Sequence, residues 1–263
     1  MTAKTMLSIF GRPWLIEPNV AMTMLEYLQS NDGEFRYSDV KESESNIVFA
    51  SMKGVITAPG DSYGLSSFKG FDGAKVAVIP ISGAMMKDDY CGALGTSTIA
   101  NLVSMADATS SVEKIVLAID SPGGSVSGTQ YLADTVKSCV KETVALYDMA
   151  CSAAYWVASA CNSMYASNTT SIAGSIGTMI SLVDNTKAAE KKGYVLREYY
   201  ATQSKDKNKA FTLARDGDGR ALISEMLDPL NNEFIASVKS NRSNVSEDAL
   251  TGKTFLAKEA IAM

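Results

Sequence analysis

Histidine is absent from all 263 residues of the chain, so no imidazole is available as a general base. A serine hydroxyl is a weak nucleophile at its ordinary pKa and has to give its proton to a neighbouring base. If this chain carries a catalytic serine, that base must therefore be a lysine or a carboxylate. A serine paired with a lysine is a known variant of the catalytic triad.

Long apolar runs and an excess of basic residues are also missing. No stretch reaches the roughly 18 consecutive apolar residues of a membrane-spanning helix, and the N-terminus lacks the apolar core and cleavage site of a signal peptide. The 24 lysines and arginines are outnumbered by 29 aspartates and glutamates, which gives a net charge of −5. We therefore expect neither a membrane span nor a nucleic-acid partner.

Cysteine is scarce, and the spacing of the four cysteines does not match that of metal ligands. They are Cys91, Cys139, Cys151 and Cys161. Three of them lie among apolar or small residues, which predicts reduced thiols in the core and a cytosolic-type compartment. We expect neither a bound metal nor a cofactor.

The N-terminal part differs in composition from the rest of a chain that is 46% hydrophobic and 20% charged, as folded proteins are. A helix is predicted at Val20–Ser30, a polar stretch follows at Asn31–Ser45, and glycine and serine become frequent up to Gly70. We interpret residues 1–70 as an N-terminal extension or pro-segment with a linker, and residues 71–263 as the folded domain. If the extension is inhibitory, the intact chain should be less active than one without it.

Strand and helix patterns alternate regularly in the folded domain, which predicts an α/β protein with a largely parallel sheet and flanking helices. Short apolar, β-branched runs predict strands at Ala74–Ser82, Lys114–Asp120, Thr143–Tyr147, Ser163–Ala166 and Tyr194–Tyr200. Helices are predicted at Ser97–Asp107, Val126–Cys139, Ser152–Cys161, Asp184–Lys192 and within Thr212–Arg242.

Two loops at the carboxyl ends of predicted strands carry unusual residues, and open α/β sheets bind their ligands at such ends. The loop Asp120–Ser125 reads Asp-Ser-Pro-Gly-Gly-Ser, and its paired glycines can expose backbone N–H groups to a cleft. The second loop ends at Cys151, and Ser152 opens the next helix. Ser152 is either a nucleophile, with the N–H of Ala153 placed to stabilise an oxyanion, or an ordinary helix N-cap.

Lysines that could act as the base follow the strand predicted at Tyr194–Tyr200. Lys205 is one, and Lys207 and Lys209 are alternatives a few residues further along. A lysine needs desolvation to be neutral near physiological pH, and the sequence does not show whether this segment is buried.

Five segments in this order resemble the S49 peptidases, the signal peptide peptidase A family, and especially their soluble phage and prophage branch. The segments are Val76–Gly83, Ile119–Gly128, Ala150–Trp156, Ala173–Gly177 and Val183–Gly193. The resemblance implies a fold of the ClpP/crotonase type over about residues 76–263. It also implies a serine endopeptidase that hydrolyses a peptide or protein substrate through an acyl-enzyme.

The resemblance further implies a role for individual side chains. Ser152 matches the nucleophile, and an ungapped alignment of the helix at Val183–Gly193 places the base at Lys205, with Lys207 as the alternative. Ser175 would orient the lysine amine through a hydrogen bond.

The oxyanion would be held by the backbone N–H groups of Gly124 and Ala153. The chain departs from the family pattern in having Ala153 and Ala154 where many members have glycines, and Thr202 where a glycine often lies near the base. It also stops at Met263, where relatives continue into a further strand, so we expect a truncation or a junction with another segment.

Two other functions remain open, a catalytically inactive structural relative and a crotonase-type acyl-CoA enzyme. The intact set of Ser152, Ser175 and Lys205 argues against the first, and the lack of a basic cluster for the CoA phosphates argues against the second. Family members assemble into rings or shells, so a homo-oligomer is expected. The resemblance places the protein in the host-cell cytoplasm or the phage prohead, acting in head maturation or in degradation of signal-peptide-type peptides.

Overall fold

A computed structural model describes residues 70–263 except 72, 91 and 92, together with the backbone of three short N-terminal strands. These strands are β1 (Trp14–Ile16), β2 (Ile47–Ser51) and β3 (Gly54–Ala58), of which β2 and β3 pair antiparallel with each other. The helix predicted at Val20–Ser30 lies outside the described residues, and so does Cys91.

A six-stranded sheet forms the centre of the domain, in the order β10-β9-β7-β5-β4 with β8 also paired to β7. The strands are β4 (Val76–Ser82), β5 (Lys114–Ser121), β7 (Glu142–Cys151), β8 (Ser163–Ala166), β9 (Ile172–Gly174) and β10 (Thr254–Leu256). Every pairing is parallel except that of β10 with β9. The predicted α/β class with a largely parallel sheet is confirmed.

Helices connect the strands and cover the sheet. They are α1 (Thr96–Ala108), α2 (Thr129–Lys137), α3 (Ala153–Ser159), α4 (Thr186–Lys191), α5 (Lys209–Arg215), α6 (Arg220–Leu222), α7 (Asp228–Asn241) and α8 (Ala257–Ala260). The first four match the predicted helices to within a few residues at each end. In α1 the buried residues Ile99, Leu102 and Val103 follow the helical period, which turns one face to the sheet.

The core packs against one face of β5 and its neighbours, whose other face is half-buried. Ile115, Leu117 and Ile119 alternate along β5 and are at most 2% exposed, as the period of two in a strand requires. Burying each such side chain contributes about 1.5–3 kcal/mol. This packing fixes the positions at which the central strands end.

The carboxyl ends of β5 and β7 lie side by side, because Ser121 of β5 pairs with Ala150 of β7. Beyond β5 the chain continues into the short strand β6 (Gly123–Ser125), and beyond β7 it turns at Ser152 into α3. The two loops singled out by the sequence therefore meet at one edge of the sheet.

Helix α7 packs against α3 through an aromatic pair. The rings of Trp156 in α3 and Phe234 in α7 stack with centroids 4.7 Å apart and an interplanar angle of 7°. The indole N–H of Trp156 also donates a hydrogen bond to Ser237 Oγ at 2.9 Å. This contact holds the helix that begins directly after Ser152.

The strand predicted at Tyr194–Tyr200 is wrong. The structure has no regular element there, and all seven residues are exposed, with Tyr199 at 87% and Val195 at 71%. The aromatic and branched residues favour a strand locally, but strand preference depends on packing against neighbours, which this segment does not have.

Cys139, Cys151 and Cys161 form no disulfide, as the prediction of reduced thiols requires, and Cys91 is outside the described residues. Burial, with a smaller contribution from Asp107, raises the pKa of Cys139 to about 11. Burial raises the pKa of Cys161 to about 12. These two thiols are therefore protonated near neutral pH, which suits a role in packing.

Candidate active site

Ser152 occupies a strained turn between β7 and α3. Its backbone angles are φ 54° and ψ −118°, a combination that L-residues other than glycine rarely adopt, and the residue is 1% exposed. Such a conformation costs about 1–3 kcal/mol and persists where the surroundings enforce it, most often at functional sites. The α/β-hydrolases present their nucleophilic serine on a sharp strand-to-helix turn of this kind.

Ser152 stands at the N-cap position of α3, but it does not cap the helix with its side chain. Its hydroxyl makes no capping hydrogen bond to α3, and the described contact of Oγ is a long one, 3.5 Å to the carbonyl of Gly177. Its backbone N–H donates to the carbonyl of Gly174 at 2.8 Å. The backbone of Ser152 is thus fixed while its hydroxyl is only weakly engaged.

Ser175 shares the same type of backbone strain. Its φ is also 54°, it is 5% exposed, and its N–H donates to the carbonyl of Lys253 at 2.6 Å. Within the described part of the chain, Asn208 is the one further non-glycine residue with a positive φ. Gly174 accepts the hydrogen bond from Ser152 and directly precedes Ser175 in the chain. The two strained serines are therefore connected through this one residue.

The loop at Gly123 and Gly124 is built from close backbone contacts. Met85 donates its N–H to the carbonyl of Gly123 at 2.8 Å and accepts the N–H of Ser125 at 2.8 Å. A Cβ at Gly124 would lie 2.0 Å from the carbonyl oxygen of Met85, closer than any real contact. Ser121 steadies the turn, because its hydroxyl donates to the carbonyl of Gly83 and accepts the N–H of Gly123.

This crowding gives a prediction for Gly124→Ala. If Gly124 is the oxyanion donor that the family resemblance implies, the added Cβ should displace the loop and lower the rate of peptide hydrolysis by about 10²–10³, the typical effect of losing one such donor. The matched control is Gly219→Ala, because a Cβ there would meet only the end of the Ile223 side chain at 3.9 Å. Initial rates on a fluorogenic peptide measure the difference. Equal rates for Gly124→Ala and wild type would show that this loop takes no part in the reaction.

No hydrogen bond described for this cluster involves the side chain of Lys205, Lys207 or Lys209. Lys205 and Lys207 are exposed in a turn that precedes α5, and Lys209 pairs with Asp206 at 3.3 Å. The hydrogen bonds described for Ser152 involve no lysine side chain.

Sequence reasoning missed two backbone neighbours of the serines. The carbonyl of Gly177 contacts Ser152 Oγ, and the carbonyl of Lys253 accepts the N–H of Ser175. Gly177 ends the motif Ala173–Gly177. Its contact is made by the backbone carbonyl, which every residue type has, so the sequence does not indicate it. Lys253 lies far along the chain, so only the folded β9–β10 pair reveals it.

The site lies largely within a recognisable family domain. Residues 134–263 match the sequence profile of peptidase family S49. This matched segment contains Ser152, Ser175 and the lysines at 205 and 207. The match spans 130 of the 263 residues, just under half of the chain, and shows that this part of the chain is similar to peptidase family S49.

Several curated proteins are similar to the chain. Capsid assembly protease C of Escherichia phage lambda is 26% identical over 242 residues, which are 88% of this chain and 54% of that protein. Head-tail preconnector protein GP5 of Enterobacteria phage P21 is 29% identical over 67% of this chain and 36% of that protein. Protease 4 of Salmonella typhi is 34% identical over 43% of this chain and 19% of that protein. The chain thus spans about half, or less, of the length of these relatives.

Among solved structures, an enoyl-CoA hydratase/isomerase family member superposes with a TM-score of 0.36 and 20% identity. The superposition covers 72% of this chain and 64% of that one. Within the described residues, no helix is long and apolar enough to cross a membrane.

Proposed function

We propose that the protein is a serine endopeptidase with Ser152 as its nucleophile. The observation that carries the proposal is the backbone strain at Ser152, which presents a buried and weakly bonded hydroxyl at the carboxyl end of the sheet. Helix α3 contacts β6, so this hydroxyl and the Gly124 loop lie on the same side of the domain. The similarity of residues 134–263 to peptidase family S49 supports the same chemistry.

In the proposed reaction Ser152 Oγ attacks the carbonyl carbon of a peptide bond, and its proton passes to a neutral lysine. Backbone N–H groups of Gly124 and Ala153 stabilise the oxyanion that forms. Ala153 suits this role because it is the first residue of α3, where the N–H has no acceptor within the helix. The lysine then protonates the leaving amine, and water activated by the same lysine hydrolyses the acyl-enzyme.

Lys205 is the proposed base, Lys207 the alternative, and Ser175 the group that orients the amine. A base of this type must lose solvent, whereas Lys205 is exposed in the single chain. The neighbouring segment 194–200 also exposes large apolar side chains, including Leu196 at 70%. We infer that copies of the chain assemble through this segment and desolvate the lysine as they do so.

The assembly is tested by Leu196→Asp. We expect this variant to sediment as smaller species than wild type and to lose at least 90% of peptide hydrolysis, because the contact would bury an unpaired charge. Ser224→Asp adds the same charge at another exposed position and should change neither property. Analytical ultracentrifugation with parallel rate measurements decides the matter, and an unchanged Leu196→Asp assembly would exclude this contact.

The phage relatives suggest the biological setting. Their names describe capsid assembly and a head-tail preconnector, which favours a structural protein of the phage head as the substrate. The same relatives favour the host cytoplasm or the prohead as the compartment.

The proposal is tested by covalent labelling of the full chain with a fluorophosphonate, followed by intact mass and peptide mapping. We expect one adduct per chain, on Ser152. We expect no adduct in Lys205→Ala and an undiminished adduct in Lys207→Ala. The reverse result would identify Lys207 as the base. A fully assembled protein that takes up no probe would contradict the peptidase and favour the inactive relative.

A further inference from the structure

The N-terminal strand β1 lies against the glycine loop of the site. Leu15 is opposite Gly124, Trp14 is opposite Ser125, and the two strands run antiparallel. This places a segment about 110 residues away in sequence beside the backbone N–H that the proposed mechanism uses for the oxyanion.

The direction of the Gly124 backbone follows from its neighbours. The carbonyl of Gly123 and the N–H of Ser125 both bind Met85, so they point to one edge of β6. Successive backbone groups of a strand point to opposite edges. The N–H and carbonyl of Gly124 therefore point to the other edge, where Leu15 lies, and these two residues form the hydrogen-bonded type of antiparallel pair.

Two prolines bracket the paired segment, which reads Pro13-Trp-Leu-Ile-Glu-Pro18. Proline has no backbone N–H and cannot donate to a strand ladder. The pairing is thus confined to a few residues centred on Leu15, and a short isolated pairing of this kind can be displaced by another chain.

We propose that residues 14–16 occupy, within the same chain, the strand position of an extended peptide substrate, with Leu15 as the residue whose carbonyl faces the Gly124 N–H. This inference rests on the proposed peptidase function. A substrate then runs antiparallel to β6, and the residue that pairs with Gly124 carries the carbonyl that Ser152 attacks. The N-terminal segment competes with the substrate for the site until it is displaced.

The proposal is tested in the full chain with Leu15→Pro, which removes the N–H that pairs with the Gly124 carbonyl. Leu15→Ala is the matched control because it keeps that N–H. We expect hydrogen–deuterium exchange at the Gly124 amide to become at least tenfold faster in Leu15→Pro and to stay unchanged in Leu15→Ala. Fluorophosphonate labelling should become severalfold faster in Leu15→Pro alone.

A synthetic peptide with the sequence of residues 12–17 provides a readout that needs no catalysis. Added to Leu15→Pro, it should restore slow exchange at Gly124, whereas the same peptide with proline in place of its leucine should not. Unchanged exchange at Gly124 in Leu15→Pro would show that Leu15 does not pair with Gly124. Faster exchange with an unchanged labelling rate would show that residues 14–16 do not compete with the substrate. If no variant is labelled, the proposed function fails, and protection of Gly124 by the peptide alone still decides whether this edge binds an extended chain.

Discussion

Replacing Ser152 with glycine is expected to abolish peptide hydrolysis and to stabilise the domain in the same step. Loss of the proposed nucleophile should lower the rate by about 10⁴–10⁶. Glycine adopts a φ of 54° freely, whereas serine there carries strain of about 1–3 kcal/mol. Activity and stability are thus opposed at one residue, as is common at active sites.

Ser152→Ala is the matched control for the strain. Alanine also lacks the hydroxyl, so hydrolysis should fall as far, but its Cβ keeps the unfavourable backbone conformation. We expect the glycine variant to exceed the alanine variant by about 1 kcal/mol in free energy of unfolding, measured by urea denaturation. Equal stabilities would show that the turn is not strained, and residual hydrolysis well above background in both would place the nucleophile elsewhere.

Phe234→Ala is expected to cause the largest loss of stability. The ring is fully buried and stacked on Trp156, so its removal leaves a cavity between α7 and α3. Substitutions of this kind cost about 3–5 kcal/mol. Because α3 begins directly after Ser152, we also expect slower labelling of the serine in the protein that remains folded.

Urea denaturation followed by tryptophan fluorescence measures this loss. Glu233→Ala is the control, since the adjacent side chain is exposed on the same helix and its removal should change stability by less than about 0.5 kcal/mol. A cost below about 1 kcal/mol for Phe234→Ala would show that α7 unfolds separately from the sheet.

The parts of the fold that the sequence predicts are those with strong periodicity and one buried face. Helix α1 and strand β5 are examples, since burial recurs along them with the period of a helix and of a strand. The segment 194–200 has equally strong strand preference but no partner in the single chain, so propensity alone misleads there.

The candidate site also has some features that the sequence predicts and others that it does not. Proximity of the Gly124 and Ser152 loops follows from the parallel strand order, which the alternating pattern predicts. The positive φ at Ser152 and Ser175 could not be predicted, because serine normally avoids it and only the surrounding hydrogen bonds impose it. The choice between Lys205 and Lys207 also stays open, because both lie in an exposed turn where residue type sets no position.

The crowding at Gly124 and the strain at Ser152 predict opposite outcomes in a descendant that has lost the proposed activity. The glycine should be retained and the serine should be replaced. Any side chain at Gly124 would collide with the backbone of Met85, whether or not the protein is an enzyme. At Ser152, drift to glycine would relieve the turn as soon as selection for the hydroxyl ended. A relative that had lost the proposed activity would therefore keep its paired glycines and lose its serine, so the serine would distinguish a working peptidase from an inactive one.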